Sequence, residues 1–242
     1  MTTWFNRVQE AITPHKTLAP PSVFDRHRWL SSCRPESILI KGRTYQILKR
    51  MFDLALIGLT FPFWAGLMII IGLLILIENC HGPVIFTQER TGKGGRRFLM
   101  YKFRTMVVDA EEKKQELMHL NELQWPDFKI TNDPRITKIG RILRKSSLDE
   151  LPQIFNVIKG EMSLVGPRPT SFSAENYRLW QTERLDVIPG ITGLWQLLGR
   201  GNTEFDERLR MDILYIERQS LCLDLRILIM TVLAVVQGRG AK

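Results

Sequence analysis

The sequence predicts an α/β protein, mainly α: a re-entrant membrane helix followed by a small cytosolic α/β domain with interfacial amphipathic helices. Three patterns carry this prediction. Leu54 to Ile77 contains no charge over a length that can reach across a bilayer core. Residues 82–106 read as two strands around a glycine-rich loop. Later stretches repeat their apolar residues at helical spacing. The implied organisation is a poorly structured extension over 1–45, a membrane segment over 46–80 and a cytosolic domain over 81–242.

Asp53 and Glu78 bracket the apolar segment. On hydropathy alone a single transmembrane helix is the plainer reading. Two details favour a helix that bends and returns. Pro62 removes a backbone donor and clashes one turn back. It divides the segment into pieces of about 8 and 15 residues, each short of the roughly 20 needed to span. Lys41, Arg43, Lys49 and Arg50 stand before the segment, and Arg90, Lys93, Arg96 and Arg97 after it. Basic flanks stay cytoplasmic, so a straight span would strand one of them outside. Upstream, Trp4, Phe5 and Val8 could form a short amphipathic turn, but Pro14, Pro20, Pro21 and Pro35 break anything longer.

Composition narrows the function classes. The 242 residues are 44% apolar, enough for a core, and carry a net charge of +9. Such a charge suits nucleic acid, anionic lipid or phosphorylated substrates. Cys33, Cys80 and Cys222 make no CxxC pair, and His15, His27, His81 and His119 lack ligand spacing. A disulfide framework or a zinc site is therefore not expected.

Gly82 to Arg90 reads as a turn and strand, Thr91 to Gly95 as a loop, and Arg96 to Met106 as the second strand. The loop lacks the GKS or GKT of a nucleotide-binding loop, so a hairpin turn is the simpler reading. On the second strand Leu99, Tyr101 and Phe103 face one way and Lys102 and Arg104 the other. The two cations could hold phosphate oxygens or simply lie on a solvated face. Asp109 to about Asn121 is a charged helix that Trp125-Pro126 ends. Over Arg135 to Lys145, Ile136, Ile139, Ile142 and Leu143 share one face, opposite Lys138, Arg141, Arg144 and Lys145. This helix could lie on anionic lipid or pack on a core. Leu221 to Val236, interrupted by Asp224 and Arg226, reads as an interfacial or packed helix.

Asp149 and Glu150 are the most informative pair. Adjacent carboxylates repel each other and can share a hard cation. Yet Ser147-Leu148-Asp149-Glu150 also matches a capping box, with Pro152 in the first turn and Gly160 as the stop. Val165-Gly166-Pro167-Arg168-Pro169 fixes one arginine between two prolines. Pro189 to Gly193 reads as another turn.

Residues 46–241 resemble the bacterial sugar transferase family, the monotopic polyprenyl-phosphate phosphoglycosyl transferases. The matching stretches run in order. They are Lys49-Arg50-x-x-Asp53, Gly82-Pro83-Val84, Gln88-Glu89-Arg90-x-Gly92 and Lys102 to Met106, then Ser147 to Gln153, Asn156 to Pro169, Pro189 to Gly193 and Gly238 to Ala241. The resemblance implies transfer of a sugar 1-phosphate from a UDP-sugar to polyprenyl phosphate, releasing UMP. It implies Asp149 as nucleophile and Mg²⁺ ligand, with Glu150 assisting. Lys102, Arg104, Arg144, Arg168 and Asp212 are then substrate-binding positions, and Pro62 is the break of the membrane helix. The implied location is the cytosolic face of the bacterial inner membrane, where the first step of exopolysaccharide, capsule or O-antigen assembly takes place. Expected partners are the UDP-sugar, polyprenyl phosphate and membrane lipid. A homodimer is compatible with this, and nucleic acid is not expected. The competing classes are a membrane-tethered basic regulatory or nucleic-acid-binding protein and a non-catalytic assembly scaffold.

Overall fold

The structure is a computed structural model and describes residues 42–122, 130–198 and 205–237. The expected extension before residue 42, the Trp125-Pro126 stop and the Gly238 to Ala241 ending lie outside the described residues.

Two helices, α1 (Gly42–Leu59) and α2 (Phe61–Glu78), meet at Thr60. The Thr60 amide and hydroxyl both donate to the Leu56 carbonyl, at 3.0 and 2.7 Å, and close α1. Pro62 falls in the first turn of α2, where its missing N–H removes no helical bond. Across the break, Trp64 Nε1 donates to the Ile57 carbonyl at 2.9 Å. The break is where Pro62 predicts it, but the pieces are longer than expected, 18 residues each. Helix α1 reaches back to Gly42, and α2 starts before the proline. Consequently α2 is long and apolar enough to cross a membrane.

The hairpin forms as expected. β1 (Ile85–Thr91) pairs antiparallel with β2 (Arg97–Phe103), from Ile85 opposite Phe103 to Thr91 opposite Arg97. β2 ends three residues earlier than the sequence pattern, so Arg104 leaves the sheet. After α3 (Ala110–Glu116), α4 (Lys138–Ser146) is capped by Thr137, whose hydroxyl accepts from the Gly140 amide at 2.9 Å. Leu143 is buried and Ile139 packs beside it, but Ile142 is 66% exposed. At 100° per residue Ile142 falls outside the stripe that Leu143 buries, so the expected four-residue apolar face is narrower.

Helix α5 (Gln153–Lys159) stops at Gly160, whose φ of 84° is a left-handed cap. The expected turn at Pro189 to Gly193 is instead a strand. β4 (Gly190–Thr192) runs parallel to β3 (Ser163–Val165), a pairing between distant segments that local turn residues do not reveal. Helices α6 (Leu194–Leu198), α7 (Phe205–Arg218) and α8 (Leu221–Val236) complete the described chain.

Three apolar clusters hold these parts together. Val165, Leu194, Leu214, Tyr215, Leu223 and Ile227 join β3 to α6, α7 and α8. Met100, Ile154, Val157 and Met162 meet Ile57 and Trp64 of the paired helices. Ile71 and Ile75 of α2 bury against Phe103 and Leu143. Burial of this kind is worth about 1.5–3 kcal/mol per side chain, so α1 and α2 are part of the fold's core. A polar clasp adds register. Buried Asp224 of α8 accepts from Tyr45 and Lys49 of α1, each at 2.8 Å, and from Tyr215 at 2.6 Å.

Candidate active site

Helix α4 ends in a sharp reversal that presents the acid pair. Ser147, the only non-glycine residue with positive φ among the described residues, takes φ 57° and ψ 16°. The chain then makes one 3₁₀ turn, Leu148–Glu150, before α5. This overturns the capping-box expectation. Ser147 ends α4 rather than starting α5, and its side chain caps nothing; Pro152 occupies the N-cap of α5, also without a side-chain cap bond. The physical reason is tertiary: Glu150 has stronger partners than a backbone amide.

Those partners are cations from two other elements. Arg168 Nη1 donates to Glu150 Oε2 at 3.0 Å, and its Nη2 donates to Oε1. Lys102 Nζ, from the hairpin, lies 3.1 Å from Glu150 Oε1 and 3.9 Å from Asp149 Oδ2. Asp149 is only 9% exposed, yet its carboxylate accepts no hydrogen bond among the described residues. Arg144, on the last turn of α4, donates through Nε to Thr105 Oγ1 at 2.9 Å. Helix α4 can come that close because Gly140 has no Cβ; one built there would lie 2.1 Å from the Thr105 carbonyl oxygen.

Asp149, Glu150, Lys102, Arg144 and Arg168 are thus brought together from β2, α4, the 3₁₀ turn and the proline-flanked loop. Asp212 stands one step back. It is buried on α7 and pairs with Arg184 at 2.8 Å, while Arg184 donates to the backbone carbonyl of Arg168. Asp212 therefore steadies the loop that carries Arg168 and is not in contact with the acid pair. Arg104 is not brought there either: its guanidinium donates to the Asn79 carbonyl at the end of α2. The strand alternation that grouped it with Lys102 stops at Phe103, so Arg104 turns elsewhere. Arg184 and Thr105 had no separate signal in the sequence.

The environments of the two acids differ. Burial pushes the Asp149 carboxyl above its usual range, and Lys102 only partly opposes this. Burial also acts on Glu150, but Arg168 and Lys102 outweigh it and hold that carboxyl far below its usual range. Burial lowers Lys102, and Glu150 resists the shift. Burial likewise lowers Arg144, with Asp149 opposing. The outcome is one carboxylate locked in an ion pair and one left available to a reacting atom.

A family model, bacterial sugar transferase, matches residues 44–238, which include every one of these side chains. The chain belongs to the bacterial sugar transferase family. Among curated relatives, it is 47% identical over 203 residues to the galactosyl transferase CpsE of Streptococcus agalactiae serotype III, covering 82% of this chain and 44% of that one. It is 41% identical over 204 residues to the undecaprenyl-phosphate galactose phosphotransferase of Salmonella typhimurium, covering 82% and 42%. It is 37% identical over 198 residues to the exopolysaccharide production protein ExoY of Rhizobium meliloti, covering 80% and 87%. The chain thus spans less than half the length of the first two relatives and most of the third.

In this bacterial sugar transferase a metal site can be tested against the residues present. Among the described residues, no group of three or more His, Cys, Asp or Glu comes together. Mg²⁺ keeps several waters and binds through one or two carboxylates plus substrate phosphates. Glu150 is occupied by cations, and Asp149 is the open carboxylate. The residues fit such an ion shared with a substrate, and Asp149 is the side chain that would hold it.

Proposed function

We propose that this chain transfers a sugar 1-phosphate from a UDP-sugar to a polyprenyl phosphate, through a covalent intermediate on Asp149. The observation that carries the reading is the contrast within the acid pair. Asp149 is a buried carboxylate without a hydrogen-bond partner among the described residues, set among Lys102, Arg144 and Arg168. The relatives' names supply the substrate class: one is an undecaprenyl-phosphate galactose phosphotransferase, another a UDP-galactose-lipid carrier transferase.

In this mechanism an Asp149 oxygen attacks the phosphorus that bears the sugar. The bond from that phosphorus to the bridging oxygen breaks, and UMP leaves with the electron pair. A phosphate oxygen of the lipid then attacks the same phosphorus and expels the Asp149 carboxylate, giving the polyprenyl-diphospho-sugar. Splitting the reaction lets a water-soluble donor and a membrane-bound acceptor use the site in turn. Burial of Asp149 raises the energy of its charged form and leaves it a better nucleophile than a solvated carboxylate. Lys102 and Arg168 stabilise charge on the phosphoryl oxygens, and Glu150 fixes both cations in place. Arg144 offers a further cation from α4. Bound Mg²⁺ would neutralise charge on the donor diphosphate.

This chemistry belongs at a membrane surface in the same reading, which the length and apolar character of α2 support. In our reading α1 and α2 enter from the cytosolic face of the inner membrane and return to it, with the bend at Thr60-Phe61-Pro62. Basic flanks on both sides and the packing of both helices on the catalytic core support the return. The product would start exopolysaccharide, capsule or O-antigen assembly. The experiment is UMP release from a panel of UDP-sugars with Mg²⁺ and polyprenyl phosphate. Release that persists at the wild-type rate in Asp149→Asn would remove Asp149 from the reaction. Salt-sensitive nucleic-acid binding without UDP-sugar consumption would favour a regulatory protein instead.

A further inference from the structure

Arg90 is a cation without an acid. It lies on β1 opposite Phe98, in the register that sets Gln88 opposite Met100 and Phe86 opposite Lys102. Residues directly opposite share a face, and alternate residues along a strand share it too. Arg90 therefore projects from the same hairpin face as Lys102, which touches the acid pair. The next residue, Thr91, donates its amide to the Thr170 carbonyl at 2.9 Å, which ties this end of β1 to the loop that carries Arg168.

The guanidinium is poorly satisfied. Nη2 donates to Gln88 Oε1 at 2.5 Å, and the buried Nε has no hydrogen-bond partner among the described residues. No described carboxylate forms an ion pair with it. Glu150 faces it, but both Glu150 oxygens already receive Arg168 and Lys102. Burial, followed by the charge of Arg168, lowers Arg90 to about 10. An arginine on the hairpin's opposite face is different. Arg97 bonds Thr91 Oγ1 at 2.7 Å and the Ser171 carbonyl at 3.0 Å, and pairs with Glu89 at 3.2 Å. Around the acid pair stand four cations, Arg90, Lys102, Arg144 and Arg168, against two carboxylates. A desolvated surplus of positive charge with an open donor edge is a site for an anion.

We propose that Arg90 is a substrate-binding residue that takes a phosphate oxyanion beside Arg168. The proposal rests on the phosphoryl-transfer reading for its substrates and extends that reading to a residue outside the acid pair's direct contacts. The same chemistry is offered by the nucleotide's phosphate and by the lipid's phosphate, and binding separates them.

The full chain in detergent is titrated with UMP, geranyl phosphate and pyrophosphate, as wild type, Arg90→Met, Arg90→Lys and Arg97→Met. Arg90→Met is expected to weaken at least one ligand about tenfold or more, the usual effect of losing a charged hydrogen bond. Arg90→Lys keeps the charge but not the fork and should fall between. Arg97→Met should bind within about twofold of wild type while melting at a lower temperature. Weakening confined to UMP assigns the donor phosphate, and weakening confined to geranyl phosphate assigns the acceptor. Unchanged affinity for all three in folded Arg90→Met overturns the proposal. Should Arg90→Met not fold, Arg90→Lys decides on the same scale: weakened binding at wild-type melting temperature supports it, and unchanged binding overturns it. Because binding is read at equilibrium, ligand binding without UMP release would fail the transfer mechanism and leave Arg90 standing. No binding of any ligand to wild type would overturn both.

Discussion

Arg168 grips Glu150 with two guanidinium nitrogens, although 18 residues separate them in the chain. Lys102 reaches the same carboxylate from the hairpin. This three-way contact fixes the 3₁₀ turn and leaves the neighbouring Asp149 open. Several outcomes depend on it.

Glu150→Gln leaves two partly exposed cations facing a neutral amide. It should lower stability by less than the about 3–5 kcal/mol of a fully buried pair, because the Lys102 and Arg168 side chains remain 18% and 30% exposed. The folded-state pKa of Glu150 is depressed, so its stabilisation is fully present above the unfolded value of 4.5 and is lost as pH falls toward the folded value. Thermal unfolding across pH should therefore show a steeper acid-side loss in wild type than in Glu150→Gln. Parallel curves would mean that Glu150 is not held as an ion.

Asp149→Asn should behave in the opposite sense. The folded-state pKa of Asp149 is raised above 3.8 by burial, so its charge opposes folding once pH rises through the folded value. Removing that penalty should raise the melting temperature. The variant should thus be inactive yet at least as stable as wild type near neutral pH. A large loss of stability would assign Asp149 a structural role.

Gly140→Ala tests how α4 is seated. A Cβ at this position lies 2.1 Å from the Thr105 carbonyl oxygen, a backbone atom that cannot rotate away. Overpacking of this kind costs about 1–3 kcal/mol. The displaced helix should also lengthen the Arg144 to Thr105 hydrogen bond and lower kcat. Denaturant unfolding and turnover should fall together; an unchanged midpoint would show that α4 adjusts freely.

The parts of the fold written in local pattern were legible. The hairpin, the Gly160 stop, the α8 helix and the break near Pro62 each follow from alternation, a glycine, helical spacing or a proline. That Lys102, Arg144 and Arg168 belong with the acid pair was implied by the family resemblance rather than by local pattern. What escaped depended on distant partners. Ser147-x-x-Glu150 looks like a cap until Arg168 and Lys102 claim the glutamate. Arg104 looks like the twin of Lys102 until the strand ends between them. Asp212, a substrate-binding position by the resemblance, lies beside Arg184, which bonds the backbone of Arg168. β4 needs β3 beside it to be a strand at all.

The central claim is that Asp149 carries the sugar phosphate between substrates. Intact-protein mass spectrometry after mixing with UDP-sugar and Mg²⁺, without lipid acceptor, tests it most directly. The account predicts a mass increase of one sugar phosphate, mapped to Asp149, absent in Asp149→Asn and discharged on adding polyprenyl phosphate. Full turnover with the acceptor, but no adduct at Asp149 on any quench timescale, would contradict it.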